Sequence, residues 1–271
     1  MNAPFSDINE KEAESAFTKQ APVFDNIYGT NTIIRYKRER VRNHVNQYLQ
    51  TQSQILELNA GTGEDAIYFA ENGHHVHATD ISQGMQDILR KKIKGLENNI
   101  SQEICSYTRL DSLEARGPYD LIFSNFAGLN CTNELGKVIS GFDKLLKPGG
   151  FVTLVILPKF CLWETMLLFR GKFKTAFRRF FSKHGTSAHI EGQYFRCWYY
   201  DPSEIKKLMG PAYEMVSIEG LCSLVPPSYI ENFAEKHSRL FGYLVKKESR
   251  LKSKWPWKSI GDYYIISFQK K

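Results

Sequence analysis

ILELNAGTGEDAIYFAENGHHVHATDIS, residues 55–82, decides how this 271-residue chain is read. Gln54–Leu58 has the length of a buried strand, Asn59-Ala60-Gly61-Thr62-Gly63 ends it in a turn, and a helical pattern follows over Glu64–Asn72. A second short strand, His75–Thr79, then runs into Asp80. Glycines let the backbone turn sharply and approach a ligand, a helix N-terminus presents free N–H groups, and a carboxylate beyond the next strand accepts hydrogen bonds from ribose hydroxyls. Turn, helix and acid in this order point to a nucleotide-containing ligand. Gly61-x-Gly63-x-x-Ala66 also satisfies the dinucleotide pattern, so the turn alone leaves NAD open as the ligand.

Outward from this stretch the same rhythm continues. Gln102–Tyr107, Leu121–Ser124 and Phe151–Leu157 read as further buried strands, and Gly84–Leu96 and Asn133–Leu146 as helices between them. Alternating strands and helices predict an α/β fold, a mostly parallel sheet with helices on both faces. Lys147-Pro148-Gly149-Gly150 ends a helix and turns into a strand. Two helices within residues 10–50 form a lead-in, Pro202–Met209 is a helix with Asp201 as N-cap, Glu214–Gly220 is a strand, and Asp262–Gln269 is a final strand. The chain divides into a lead-in (1–50), a Rossmann-like core (51–158), an insertion (159–200) and a return to the core sheet (201–271).

These residues resemble the class I S-adenosylmethionine-dependent methyltransferases over most of residues 20–158. ELNAGTG is similar to the family's acidic, glycine-rich turn, DIS to its ribose-binding acid, LKPGGF to the turn before its fifth strand, and YDLIFSNFAGLN to its fourth strand and following loop. The resemblance implies a seven-stranded sheet with the last strand antiparallel, and S-adenosyl-L-methionine as cofactor. It implies that Glu57 and Asn125 meet the methionine end, Asp80 the ribose, Ile81 and Met85 the adenosine, and Asp111 the adenine amino group. Glu57 separates the two cofactor classes, because a pyrophosphate site has no need of that charge. The family's first glycine is Asn59 here, and Asn is the residue after glycine that best tolerates a left-handed backbone, so Asn59, Gly61 and Gly63 together still shape the turn. AFTKQAPVFDNIY resembles the ubiquinone- and menaquinone-type branch, which implies that an aromatic residue near Tyr28 closes over the cofactor.

Composition bounds the rest. The balance of 42% hydrophobic and 24% charged residues is that of a folded globular chain. No apolar run is long enough to span a membrane, the polar N-terminus is unlike a signal peptide, and the five scattered cysteines suggest neither a disulfide framework nor a zinc site, so a cytoplasmic protein without metal is expected. The net charge of +7 is uneven, at −3 over residues 1–158, +6 over 159–200 and +4 over 201–271. Within the insertion, Phe160, Trp163, Leu167, Phe173, Phe177 and Phe180 or Phe181 recur at helical spacing against Arg170, Lys174, Arg178 and Arg179. A basic amphipathic helix over 160–183 would cap a bulky apolar substrate, touch an anionic membrane peripherally, or pack its apolar stripe on the sheet. Lys246–Lys258 reads as a solvated loop before the last strand.

The acceptor is narrowed by what is missing. Ser124-Asn125-Phe126-Ala127 stands where nucleic-acid amino-methylating enzymes carry an Asn/Asp-Pro-Pro-aromatic motif, and no proline precedes a cysteine as in C5-pyrimidine enzymes. A small-molecule methyltransferase acting on an O, N or C atom of an aromatic or apolar acceptor is expected, with RNA methyltransferase and NAD-dependent oxidoreductase as alternatives. His189, Arg196, Tyr199 and Asn130 are the candidates to face the transferred methyl, His189 as a general base, although alignment alone suffices for many methyl transfers.

Overall fold

The computed structural model describes residues 5–230 and 232–271. Residues 1–4 of the lead-in and the Arg170 side chain lie outside the described residues.

Strands apolar on both sides need cover on both faces, and the sheet is built accordingly. Its order is β3 (Ile100–Ile104), β2 (His75–Asp80), β1 (Gln54–Leu58), β4 (Tyr119–Ser124), β5 (Leu146–Ile156), β9 (Tyr263–Lys270), β8 (Tyr213–Leu221). The first five strands are parallel, and β9 runs antiparallel to both neighbours. Alternation divides the core. Leu56, Leu58, Ile122 and Leu154 join one apolar cluster, while Ile55, Leu121, Phe123 and Val155 join the other. Glu57 shares the face of Ile55 and is therefore the one carboxylate in β1 that folding must bury. The chain leaves β1 toward β2 and β3 and returns to its other side at β4, so a switch point lies at the carboxyl ends of β1 and β4, where open α/β sheets bind ligands.

The lead-in is two helices, α1 (Phe5–Gly29) and α2 (Thr32–Val45), and α3 (Glu64–Glu71) and α4 (Gln83–Lys92) follow the first two strands. The helix expected over 133–146 is broken at Gly141 into α5 (Leu135–Ser140) and α6 (Phe142–Leu145). Strand β5 begins at Leu146, earlier than the sequence suggests, and Lys147–Gly150 bulges out of the ladder between the pairs Tyr119/Leu146 and Leu121/Phe151.

The insertion differs most from expectation. In place of a helix over 160–183 there are α7 (Leu162–Thr165), a 3₁₀ turn over Met166–Arg170, a left-handed Gly171 and α8 (Phe173–Phe177). A hairpin of β6 (Thr186–Ile190) and β7 (Gln193–Cys197) then forms a separate two-stranded sheet. The stripe that faces inward is Ala176, Arg179 and Ser182, so the phenylalanines read as the buried face lie mostly outside. The reason is electrostatic. Arg179 Nη2 bonds Glu164 Oε1 at 2.6 Å and Asp262 Oδ1 at 2.8 Å, Arg178 Nε bonds Glu164 Oε2 at 2.8 Å, and this buried group sets which side turns in. Cys161, Glu164 and Asp262 have donor atoms close enough together to share a cation, but the two guanidinium groups already balance the carboxylates.

After α9 (Pro202–Met209), whose Glu204 side chain accepts from the Asp201 N–H at 2.7 Å, come α10 (Phe233–Lys236) and α11 (Ser238–Leu251). Helix α11 takes in the start of the stretch read as a solvated loop. Its inward side ends on Glu248, fully buried, which accepts from the N–H groups of Cys222, Leu224 and Val225 at 2.8–3.0 Å and so interrupts the apolar periodicity that would have revealed the helix. No helix among the described residues is long and apolar enough to cross a membrane.

Arg179→Met leaves Glu164 and Asp262 without their shared partner and is expected to cost about 3–5 kcal/mol, because an uncompensated buried charge is strongly unfavourable. Urea unfolding of the variant against the parent checks this.

Candidate active site

The turn after β1 takes the shape its glycines require. Asn59, Gly61 and Gly63 all have positive φ (48°, 56° and 81°), so Asn59 adopts the left-handed conformation of the glycine it replaces. Its side chain is put to use. Asn59 Nδ2 donates to the Asn125 carbonyl at 3.0 Å, and Ser124 Oγ donates to Asn59 Oδ1 at 2.6 Å, tying the turn to the end of β4. Space for that carboxamide comes from Gly128, where a Cβ would overlap it. A Cβ on Gly63 would overlap Leu89 of α4, whereas Gly61 faces open space.

A cleft lies at the switch point, lined by Glu57, Asn59, Gly61, Asp80, Ile81, Met85 and Asn125 among others. Asp80 is held by N–H groups of Gly61 (2.9 Å to Oδ2) and Ser82 (2.8 Å to Oδ1), while burial raises its pKa. Asp65, in the first turn of α3, accepts from Arg38 Nη1, Arg42 Nε and Asn125 Nδ2, each at 2.7 Å. Burial opposes its ionisation, but the two guanidinium groups outweigh burial and hold its pKa below the ordinary value. Glu57 has no such support. It is 2% exposed, its Oε2 has no hydrogen-bond partner, and burial followed by the charge of Asp65 pushes its pKa well above the usual carboxylate range.

Helix α1 covers the cleft, contributing Glu10, Ala13, Phe17 and Phe24 to its wall. It is pinned along its length. Asn9 Nδ2 donates to the Cys131 carbonyl at 2.8 Å while its Oδ1 accepts from the Arg196 N–H at 2.6 Å, Thr18 Oγ1 meets Ser82 Oγ at 2.8 Å, and Asp25 accepts from Thr62 Oγ1 at 2.6 Å and pairs with Lys92 at 3.1 Å. The β6–β7 hairpin braces it from outside through Phe17 against Phe195, ring centroids 5.7 Å apart.

Several expected residues stand elsewhere. Asp111 is exposed and does not line the cleft; the buried carboxylate beyond β3 is Glu10, which accepts from Ser106 Oγ and from Thr108 Oγ1 (3.1 Å). Tyr28 lines a neighbouring cleft, its ring 4.5 Å from that of Phe24, and Phe24 is the aromatic residue over the turn. None of the four candidates to face the methyl lines the cleft. Asn130 is consumed as a clamp, Nδ2 donating to the Trp198 carbonyl at 2.6 Å and Oδ1 accepting from the Leu157 N–H at 3.0 Å. Tyr199 is buried, with its hydroxyl 3.1 Å from Thr186 Oγ1 and Arg179 over its ring, and His189 packs on Tyr194 on the exposed hairpin. Arg196 Nη1 donates to the His184 carbonyl at 3.0 Å. Sequence reasoning passed over Glu10, Arg38 and Asp65; Arg38 and Arg42 at i, i+4 were the one visible sign of a shared partner, and Glu10 offered none.

Residues 55–150 match a family model described as a methyltransferase domain. This stretch of the chain is thus similar to methyltransferase domains. The demethylmenaquinone methyltransferase of Bacteroides fragilis is 30% identical over 162 residues, 57% of this chain and 64% of that protein. An uncharacterized methyltransferase of Synechocystis is 30% identical over 125 residues, 45% of this chain and 56% of that protein. The match thus spans less than two thirds of either relative's length. Among solved structures, the 1,6-didemethyltoxoflavin-N1-methyltransferase of Burkholderia thailandensis, with its substrate and S-adenosylhomocysteine bound, superposes with a TM-score of 0.59 at 14% identity, over 100% of this chain and 93% of that one. The magnesium protoporphyrin IX methyltransferase of Synechocystis, bound to S-adenosylhomocysteine, gives 0.59 at 14% identity over 97% and 100%. At such identity these two establish that the methyltransferase core shares their fold. The residues present fit S-adenosylmethionine as cofactor: the unpartnered Glu57 oxygen suits an ammonium group and the open face of Gly61 admits a ligand against the backbone. Neither the NAD nor the RNA alternative gains support from these comparisons.

Two outcomes follow from the site's geometry. Gly128→Ala is expected to cost about 1–3 kcal/mol by overpacking against the Asn59 carboxamide. In an Asn59→Gly background much of that cost disappears, so a double-mutant cycle by urea unfolding gives a coupling of about 0.5–3 kcal/mol. For Glu57, a folded-state pKa above the unfolded one means that its contribution to stability is complete at low pH and is lost as pH rises through the folded pKa. Glu57→Gln removes that loss, so without ligand the variant gains stability relative to the parent as pH rises, read as the difference in Tm across a pH series.

Proposed function

We propose that this protein transfers the methyl group of S-adenosylmethionine to a small aromatic or apolar acceptor. The observation that carries the reading is the Glu57 carboxyl, buried and unpartnered at the wall of the switch-point cleft. A cationic amino group brought there supplies the partner it lacks and lowers its pKa. Asp80, whose two oxygens keep acceptor capacity beyond the Gly61 and Ser82 bonds, takes the ribose hydroxyls, and Ile81 and Met85 wall the adenosine. Glu10 takes the role at the adenine end that the sequence assigned to Asp111. Asn59, Gly61, Gly63 and Asn125 shape the backbone around the methionine end, and Phe24 closes the place given to Tyr28.

When bound, S-adenosylmethionine would supply an electrophilic sulfonium methyl for an acceptor lone pair, with S-adenosylhomocysteine as the leaving group. The chain's part is alignment and exclusion of water, which α1 performs by lying over the cleft. No histidine lines that cleft among the described residues, and His189, Arg196, Tyr199 and Asn130 are engaged elsewhere. An acceptor that gives up its own proton readily, such as a phenol or an enol, therefore suits this site better than an aliphatic alcohol. The division into lead-in, core, insertion and return to the sheet is part of the same proposal, with the insertion acting on the cleft through α1. Five free cysteines suit a reducing compartment, the cytoplasm.

Calorimetric titration with S-adenosylmethionine, S-adenosylhomocysteine and NAD tests the reading. The two adenosyl compounds are expected to bind and NAD to give no heat. Asp80→Ala should weaken cofactor binding by about 1–3 kcal/mol through lost hydrogen bonds to a charged group, and unchanged affinity overturns the assignment.

A further inference from the structure

We propose that residues 166–183 form a docking face for an anionic lipid surface, independent of the cleft. Residues 165–185 contain six Lys or Arg, five Phe and no acidic residue. Folding does not hide these phenylalanines. Phe169 is 90% exposed and Phe181 82%, and Phe173, Phe177 and Phe180 are also exposed. Their ring contacts are those of Phe177 with Phe180 and Phe181, at 6.2 and 6.3 Å, and of Phe180 with Phe160, at 5.9 Å. Single exposed apolar residues are ordinary, but five aromatic rings within thirteen residues mark a surface that meets something apolar.

What covers it is indicated by charge and by anchoring. Arg179 is consumed inside, against Glu164 and Asp262, and Arg178 is bonded to Glu164, so the inner side of the segment is fastened to the fold. Lys172, Lys174 and Lys183 remain exposed among the phenylalanines, and none of them has an acidic neighbour within the segment. Rings that enter the acyl boundary beside ammonium groups at the depth of the phosphates are the complement of an anionic bilayer surface. An uncharged apolar partner would leave three lysines unmatched. No helix among the described residues is long and apolar enough to cross a membrane, and the contact proposed is a peripheral one.

Flotation of the purified chain with vesicles of phosphatidylcholine alone, and of phosphatidylcholine mixed with phosphatidylglycerol, tests the proposal. Binding is expected to the mixed vesicles and not to the neutral ones, and to weaken with salt. Phe169→Ser/Phe181→Ser should reduce it more than tenfold, and Lys172→Ser/Lys174→Ser by about fivefold per charge. Both pairs are exposed and outside the cleft, so S-adenosylmethionine affinity should stay unchanged and thereby report that each variant is folded. Failure to float with anionic vesicles, equal binding to both kinds, preference for RNA over vesicles, or a dimer in light scattering that the Phe pair abolishes would each overturn it, the last by assigning the face to a second copy of the chain.

Discussion

A shortage of buried positive charge at the carboxyl ends of β1 and β4 organises this protein. Asp65 takes Arg38, Arg42 and Asn125, and Glu57, on the neighbouring strand and equally buried, is left with an oxygen that nothing meets. Burying two carboxylates side by side is tolerable only if one is paired and the other stays protonated or finds a cation. The pairing joins α2 to α3 and to the end of β4, and the unpartnered Glu57 oxygen is where the proposed function places a cationic amino group. Stability and binding are thus two uses of one charge arrangement.

The cover over that site is made by the lead-in helix, and the insertion works through it. Asn9 joins α1 to the loop after β4 and to β7, and Phe195 presses Phe17 from behind. Function lives in sites grafted onto shared folds, and such additions are one way to build them. Here the addition has two sides. Its hairpin steadies the cleft's cover, and its α7–α8 portion, fastened by Arg179, presents aromatic and basic side chains to the outside.

Much of the core was legible from residues alone because its signals are local. Strand length, glycine punctuation and the acid at Asp80 lie within a few residues of one another, and backbone sterics at Gly63 or Asn59 act within the turn itself. The candidate residues that the structure places away from the cleft depend on distant neighbours. Asp111 has the right spacing, but the short 3₁₀ segment Tyr107–Ser112 turns it to solvent and Glu10, about a hundred residues earlier, fills the buried place. Asn130 has a fitting side chain, yet it is used up holding Trp198 and Leu157.

By itself, then, the sequence determined the class of fold and the glycine-rich turn, because each follows from periodicity or from backbone conformation within one loop. Only the tertiary structure decided which carboxylate is paired, which helix covers the cleft and which side of the insertion faces in. The last case states the reason most directly. The helical spacing of phenylalanines pointed to a buried aromatic stripe, but the side that turns in carries Arg179 between Glu164 and Asp262, and no local pattern contains Asp262.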